Sequence, residues 1–75
     1  MMQSENFKYT QNMETVFTIP VGTDDHVEVI GDQDMGTYEW VIRTPSGITQ
    51  HSDSGYGIRE VALRDGLIAY LGMPD

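Results

Sequence analysis

The sequence predicts an α+β fold: an antiparallel β-meander of three to four strands with one C-terminal helix packed on one face. Three stretches rich in β-branched and aromatic residues, separated by turn-forming residues, come first, and a strong hairpin signal follows them. Beyond position 51 the spacing of apolar residues changes from two to about 3.6, the helical period. Strands followed by a helix are the order typical of this fold class.

The first three strands are predicted at residues 14–19, 26–30 and 37–44. Pro20 ends the first strand or restricts it to a sheet edge, because proline cannot donate to a β-ladder. Side chains of the third strand alternate between two faces, so that Tyr38, Trp40 and Ile42 are expected to point toward the core.

Residues 44–47, Thr-Pro-Ser-Gly, give the strongest local signal, because proline suits the first corner of a type I turn and glycine accepts positive φ. A three-residue loop is expected, which places Ile48 on the core face with Trp40 and Ile42. The expected pairs are Thr44–Ile48, Ile42–Gln50 and Val41–His51.

A helix is predicted from Ile58 to Leu71, with Ser54 or Gly57 as its N-cap and with Gly72 and Pro74 ending it. At 100° per residue it has two apolar stripes. The bulky stripe, expected to cover the sheet, is Leu63, Leu67, Tyr70 and Leu71.

The second stripe consists of smaller residues: Ile58, Ala62, Gly66 and Ala69. Glycine inside a helix costs about 1 kcal/mol relative to alanine, so Gly66 indicates close approach of another backbone. Two interpretations stay open at this stage. Gly66 lets the helix lie close to its own sheet, or the stripe is the interface of a homodimer.

The 75 residues suffice for one hydrophobic core, predicted at 13–75 as a single α+β domain behind a flexible N-terminal tail at 1–12. The chain has no cysteine, which excludes disulfides and thiolate metal sites. No apolar run reaches the ~18 residues of a membrane span, and the N-terminus has no signal-peptide pattern. A cytoplasmic protein that binds no membrane is therefore expected.

The chain is acidic, with twelve Asp and Glu against four Lys and Arg and a net charge of −8. No basic residue occurs between Tyr9 and Ile42, where seven acids lie. Such a charge repels nucleic-acid phosphates and anionic lipids, so direct nucleic-acid binding is not expected. It is compatible with a basic protein partner, although solubility alone is the simpler explanation of a charge of this size.

No catalytic, cofactor or metal site is predicted. The run His51-Ser52-Asp53-Ser54 lacks a nucleophile elbow, and its polar residues are more simply explained as helix-start chemistry. His26 and His51 are expected to be about two strand spacings apart, near 9.6 Å, which is a long span for two ligands of one ion, and zinc would need two more ligands besides. The Asp32-x-Asp34 pattern lacks the twelfth-position glutamate of a calcium loop, and the loop at 54–57 has no lysine to attract phosphate.

The face of the sheet away from the helix is the candidate partner-binding surface, since it mixes charged with branched side chains. The residues singled out on it are Glu28, Glu39, Val41, Arg43 and His51.

Residues 38–71 resemble the YegP-type domain, a bacterial family built from strand-strand-helix repeats. The resemblance is carried by the strand residues 40–43 (Trp-Val-Ile-Arg), by Gly47, by Ser52 and Tyr56, and by 66–68 (Gly-Leu-Ile). It implies a meandering antiparallel sheet with a helix across one face, paired as a dimer. It implies no defined activity and therefore no functional residues.

The function expected from these observations is a non-catalytic protein–protein interaction module that forms a homodimer. Two alternatives stay open. One is an acidic mimic of nucleic acid that inhibits a basic nucleic-acid-binding protein. The other is a small enzyme assembled at a dimer interface around His51 and Asp53.

Overall fold

The computed structural model describes residues 13–72 and confirms the predicted fold class. A four-stranded antiparallel sheet runs in the order β1-β2-β3-β4, and a single helix, α1, follows it. The elements are β1 (Glu14–Val21), β2 (Asp25–Asp32), β3 (Thr37–Thr44), β4 (Gly47–His51) and α1 (Arg59–Leu71). The tail predicted at 1–12 lies outside the described residues.

Two short turns connect the first three strands. Gly22 takes a φ of 60° between β1 and β2, in the left-handed region that glycine tolerates. Between β2 and β3, the Asp32 carboxylate accepts hydrogen bonds from the backbone N–H groups of Asp34 (3.0 Å) and Met35 (3.3 Å). The residues at 32–36, whose spacing partly matches a calcium-binding loop, therefore form a turn that the Asp32 side chain stabilises.

The observed register of the β3–β4 hairpin differs in part from the predicted register. Thr44 pairs with Gly47 rather than with Ile48, because the loop has two residues instead of three. A bulge at Thr49 then restores the expected pairing of Ile42 with Gln50 and of Val41 with His51. As a result Ile48 pairs with Arg43 and is 51% exposed, so its predicted place in the core is wrong.

The core lies between the sheet and α1, and the predicted core positions of Trp40 and Ile42 are confirmed. Three side chains, Val27, Val29 and Ile42, are fully buried, and alternate residues of β2 and β3 supply them. The complete core cluster is Val27, Val29, Tyr38, Trp40, Ile42 and Ala62.

The small residues of α1 make its closest contact with the sheet. Ala62 is fully buried, and a Cβ added at Gly66 would come within 2.9 Å of the Trp40 Cβ and of the Val27 Cγ1. A larger side chain at either of these two positions would hold the helix away from the sheet. Leu63, Leu67 and Tyr70 pack around this contact as expected, whereas Leu71 is 82% exposed.

The packing of the small-residue stripe differs from the predicted homodimer interface. Ala62 and Gly66 are buried inside the protein's own helix–sheet contact, and Ala69 packs against the same core. Ile58 is the exposed member, at 58%. Of the two interpretations left open by the sequence, close packing on the protein's own sheet is the one that the structure shows for Gly66.

The start of α1 also differs from the prediction. Its N-cap residue is Ile58, in extended conformation and with no side-chain cap, rather than Ser54 or Gly57. The end at Gly72 agrees with the prediction, since the N–H of this C-cap residue bonds back to the carbonyls of Ile68 and Ala69, while Pro74 lies outside the described residues.

Candidate functional site

The face of the sheet away from α1, called the outer face here, has two rows of side chains that cross all four strands. Alternation along the strands places every second residue on this face. One row is Thr18, Glu28, Val41 and His51, and the other is Pro20, His26, Arg43 and Ile48.

Arg43 and Glu28 form a bidentate ion pair on the outer face. The Arg43 Nε and Nη2 donate to the two Glu28 carboxylate oxygens at 3.2 and 3.3 Å. The Glu28 side chain is only 12% exposed, while that of Arg43 is 47% exposed. Parallel N–H···O bonds of this kind hold a guanidinium in one orientation, so Arg43 presents a fixed, half-exposed cation.

Val41 does not contribute exposed apolar surface, contrary to expectation. It is 4% exposed and lies directly between its paired neighbours Glu28 and His51. The exposed aliphatic residue on this face is instead Ile48, which the bulge at Thr49 brings beside Arg43. No sequence signal marked that bulge, since Thr49 is an ordinary strand residue.

The remaining predicted partner-binding residues lie on the outer face as expected. Glu39 is partly buried and pairs across the ladder with Ile30. His51 is exposed, and its Nδ1 is 2.9 Å from the Ser52 carbonyl oxygen. The structure thus places Glu28, Glu39, Val41, Arg43 and His51 on one face, with Val41 beneath its neighbours.

A chain of hydrogen bonds on the opposite side joins the sheet to α1. The Trp40 indole N–H donates to the Tyr56 hydroxyl at 3.3 Å, and that hydroxyl donates to the Asp65 carboxylate at 2.9 Å. The Tyr56 hydrogen bond, helped by one from Arg64, holds the pKa of Asp65 below its usual value. This chain gives the buried indole N–H an acceptor and ties β3 to α1.

Ser52 has a role that the sequence analysis missed. It is 6% exposed, its Oγ accepts a hydrogen bond from the Trp40 N–H at 3.3 Å, and its own N–H donates to the Trp40 carbonyl at 2.9 Å. Tyr38 and Tyr56 then exchange backbone hydrogen bonds at 2.8 and 2.7 Å. Residues 52–56 therefore extend the pairing along β3, and Ser52 is not helix-start chemistry.

Within residues 13–72 no three His, Cys, Asp or Glu side chains come together to hold a metal ion. His26 and His51 flank β3, as expected, and are offset along it, because they pair with Arg43 and Val41 respectively. Every buried polar side-chain atom in this part of the chain has a hydrogen-bond partner.

The described residues contain no helix of the length and apolarity that a membrane crossing needs.

The comparisons with known proteins place this chain in no family. It matches no protein-family model, no curated protein and no solved structure. The resemblance to the YegP-type domain accordingly stays a hypothesis that rests on the residues quoted for it.

Proposed function

We propose that this protein is a non-catalytic protein–protein interaction module and that the outer face of its sheet is the binding surface. The observation that carries the proposal is the row His26, Arg43 and Ile48 beside the Arg43–Glu28 ion pair. It joins an oriented, half-exposed guanidinium to an exposed branched side chain on a rigid sheet.

Two properties of this row support protein binding over a solvated surface. Arginine is enriched at the energetic centres of interfaces, where its stem packs on apolar groups and its head donates several hydrogen bonds. Because Glu28 already orients Arg43, less side-chain entropy is lost when a partner binds. Of the partner-binding residues predicted from the sequence, Arg43 belongs to this row, and Glu28, Val41 and His51 lie in the row beside it.

The enzyme alternative has less support in the geometry. His51 is exposed and bonds to the neighbouring carbonyl of Ser52, and Asp53 is exposed in the loop that follows. A catalytic base needs a positioned partner and a cleft that excludes water. The proposal therefore assigns no reaction to this surface.

The test compares a double variant of the outer face with a single control variant at Arg64, which like Arg43 is exposed and paired with a carboxylate. The tagged full chain is used to capture proteins from the source organism, with quantification by mass spectrometry. Arg43→Ala combined with Ile48→Ala should reduce capture of a specific partner at least about tenfold. Arg64→Ala on the helix should leave capture unchanged.

Equal capture by wild type and by the Arg43→Ala/Ile48→Ala variant would contradict the proposal. Repeating the capture at increasing salt concentrations distinguishes the acidic-mimic alternative from docking on the outer face. Binding by a nucleic-acid mimic should weaken steeply with salt, because charge dominates it, whereas docking on the Arg43–Ile48 row should change little.

A further inference from the structure

We propose that the segment 5–9 of this chain forms a fifth strand, antiparallel to β1 on its free edge, and that Phe7 and Tyr9 cover an apolar strip between β1 and α1. This goes beyond the proposed function, because the strip lies on the helix side of the sheet and not on the outer face. It also differs from the sequence-based expectation of a flexible tail at 1–12, since it assigns part of that tail to the protein's own sheet.

The free edge of β1 is open to a further strand. β1 comes first in the order β1-β2-β3-β4, so within residues 13–72 only β2 pairs with it. It has eight residues, whereas the strand at the other edge, β4, has five. A long edge with apolar side chains is usually paired or covered, because it otherwise recruits other strands. Pro20 has no N–H and restricts pairing near the end of β1, so the first part of this edge is the part available.

An apolar strip beside this edge is only partly covered. α1 packs on β2 and β3 rather than on β1. Four side chains that pack against the core are left partly exposed on this side: Phe17 and Val21 of β1, and Leu63 and Leu67 of α1. The Arg59 guanidinium lies 5.8 Å from the centre of the Phe17 ring and bounds the strip near the start of the helix. Aromatic side chains laid along this strip would remove more of its surface from water.

The chain itself supplies a segment that fits this edge. Residues 1–12 lead directly into β1, which begins at Glu14. Phe7 and Tyr9 are two residues apart, so in an extended chain they share one face and Lys8 points to the other. The segment therefore has the alternation of a strand with one aromatic face.

The connection to β1 sets the register of this strand. Residues 10–13 contain no glycine, which suits a four-residue hairpin loop built on a type I turn, because that turn needs no positive φ. This loop places Tyr9 opposite Glu14 and Phe7 opposite Val16. Val16 packs against the core, so Phe7 lies beside it on the helix side of the sheet.

Charge favours this segment over a second copy of the sheet edge. β1 and β2 contain four acids and no lysine or arginine. Lys8 is the only lysine of the chain and the only basic residue before Arg43, and in the proposed register it lies opposite Thr15, next to Glu14. A cation at this position reduces the repulsion among the acids on this side of the sheet. A second copy that paired its own β1 here would instead bring further acids to the same edge.

Thermal unfolding of the full chain gives the first test. Phe7→Ser combined with Tyr9→Ser should lower the Tm by at least about 4 °C, because the strip is then left uncovered. Met2→Ser is the matched control, since it removes an apolar side chain from the same segment but outside the proposed strand, and it should leave the Tm unchanged. A double variant with the Tm of the wild type would overturn the proposal.

Nuclear magnetic resonance on the full wild-type chain gives the second test. Cross-strand NOEs between residues 8 and 15 and between residues 7 and 16 are expected, because facing residues of antiparallel strands have Cα atoms about 4.5–5.5 Å apart. Their absence would contradict the fifth strand. A mixture of isotope-labelled and unlabelled chains then identifies whose segment is bound. NOEs confined to single chains support the proposal, whereas NOEs between chains would overturn it by showing that a second copy supplies the strand.

Discussion

Replacing Gly66 with alanine should destabilise this protein, although the same change stabilises most helices. Gly66 lies in the middle of α1, where alanine has the higher helix propensity by about 1 kcal/mol. The added methyl group would come within 2.9 Å of both Trp40 and Val27, closer than packed carbon atoms normally approach.

The magnitude follows from these two opposing effects. Overpacking a tight contact costs about 1–3 kcal/mol, and the helix propensity offsets about 1 kcal/mol of it. We expect a net loss of about 1 kcal/mol in the free energy of unfolding, with about 2 kcal/mol as the upper end. For a domain of this size, 1 kcal/mol corresponds to a fall in Tm of about 4–8 °C.

Urea and thermal unfolding, followed by circular dichroism and tryptophan emission, measure the effect. Gly57→Ala is the matched control, because an added Cβ there meets no atom within 4 Å. That variant should be neutral or slightly more stable, since alanine restricts the unfolded chain. If Gly66→Ala instead raises the free energy of unfolding by about 1 kcal/mol, the close helix–sheet contact is refuted.

Three further substitutions test the core and its hydrogen bonds. Trp40→Ala should cost about 3–5 kcal/mol and unfold so small a domain, and a fully exposed emission maximum in the folded wild type would contradict that burial. Ser52→Ala should cost about 1–3 kcal/mol in urea unfolding, because it leaves the buried Trp40 N–H without its acceptor, and an unchanged midpoint would contradict this. For Asp65 the pKa is lowered in the folded state, so its stabilising effect is complete above the ordinary carboxyl pKa and is lost as the pH falls through the lowered value. The difference in unfolding free energy between wild type and Asp65→Asn should therefore narrow on acidification, and a pH-independent difference would contradict the bond from Tyr56.

The sequence by itself determined the fold class, because local rules decide it. The alternation in β3 identifies Trp40 and Ile42 as core residues without reference to any other element, since successive strand residues point to opposite faces. The helix and its end at Gly72 follow from the apolar period and from glycine chemistry. The outer-face positions of Glu28 and Arg43 follow from the same alternation, once a sheet is assumed.

Only the tertiary structure decided which apolar residues are covered. The bulge at Thr49 moves Ile48 from the core to the outer face, and a bulge depends on how the twisted strands fit together rather than on the residue itself. Both stripes of α1 contain apolar residues, and periodicity cannot say which one comes closest to the sheet: Leu63, Leu67 and Tyr70 pack around the core, whereas Ala62 and Gly66 make the closest contact. That choice depends on how closely the helix can approach Trp40, and the absence of a side chain at Gly66 allows the closest approach.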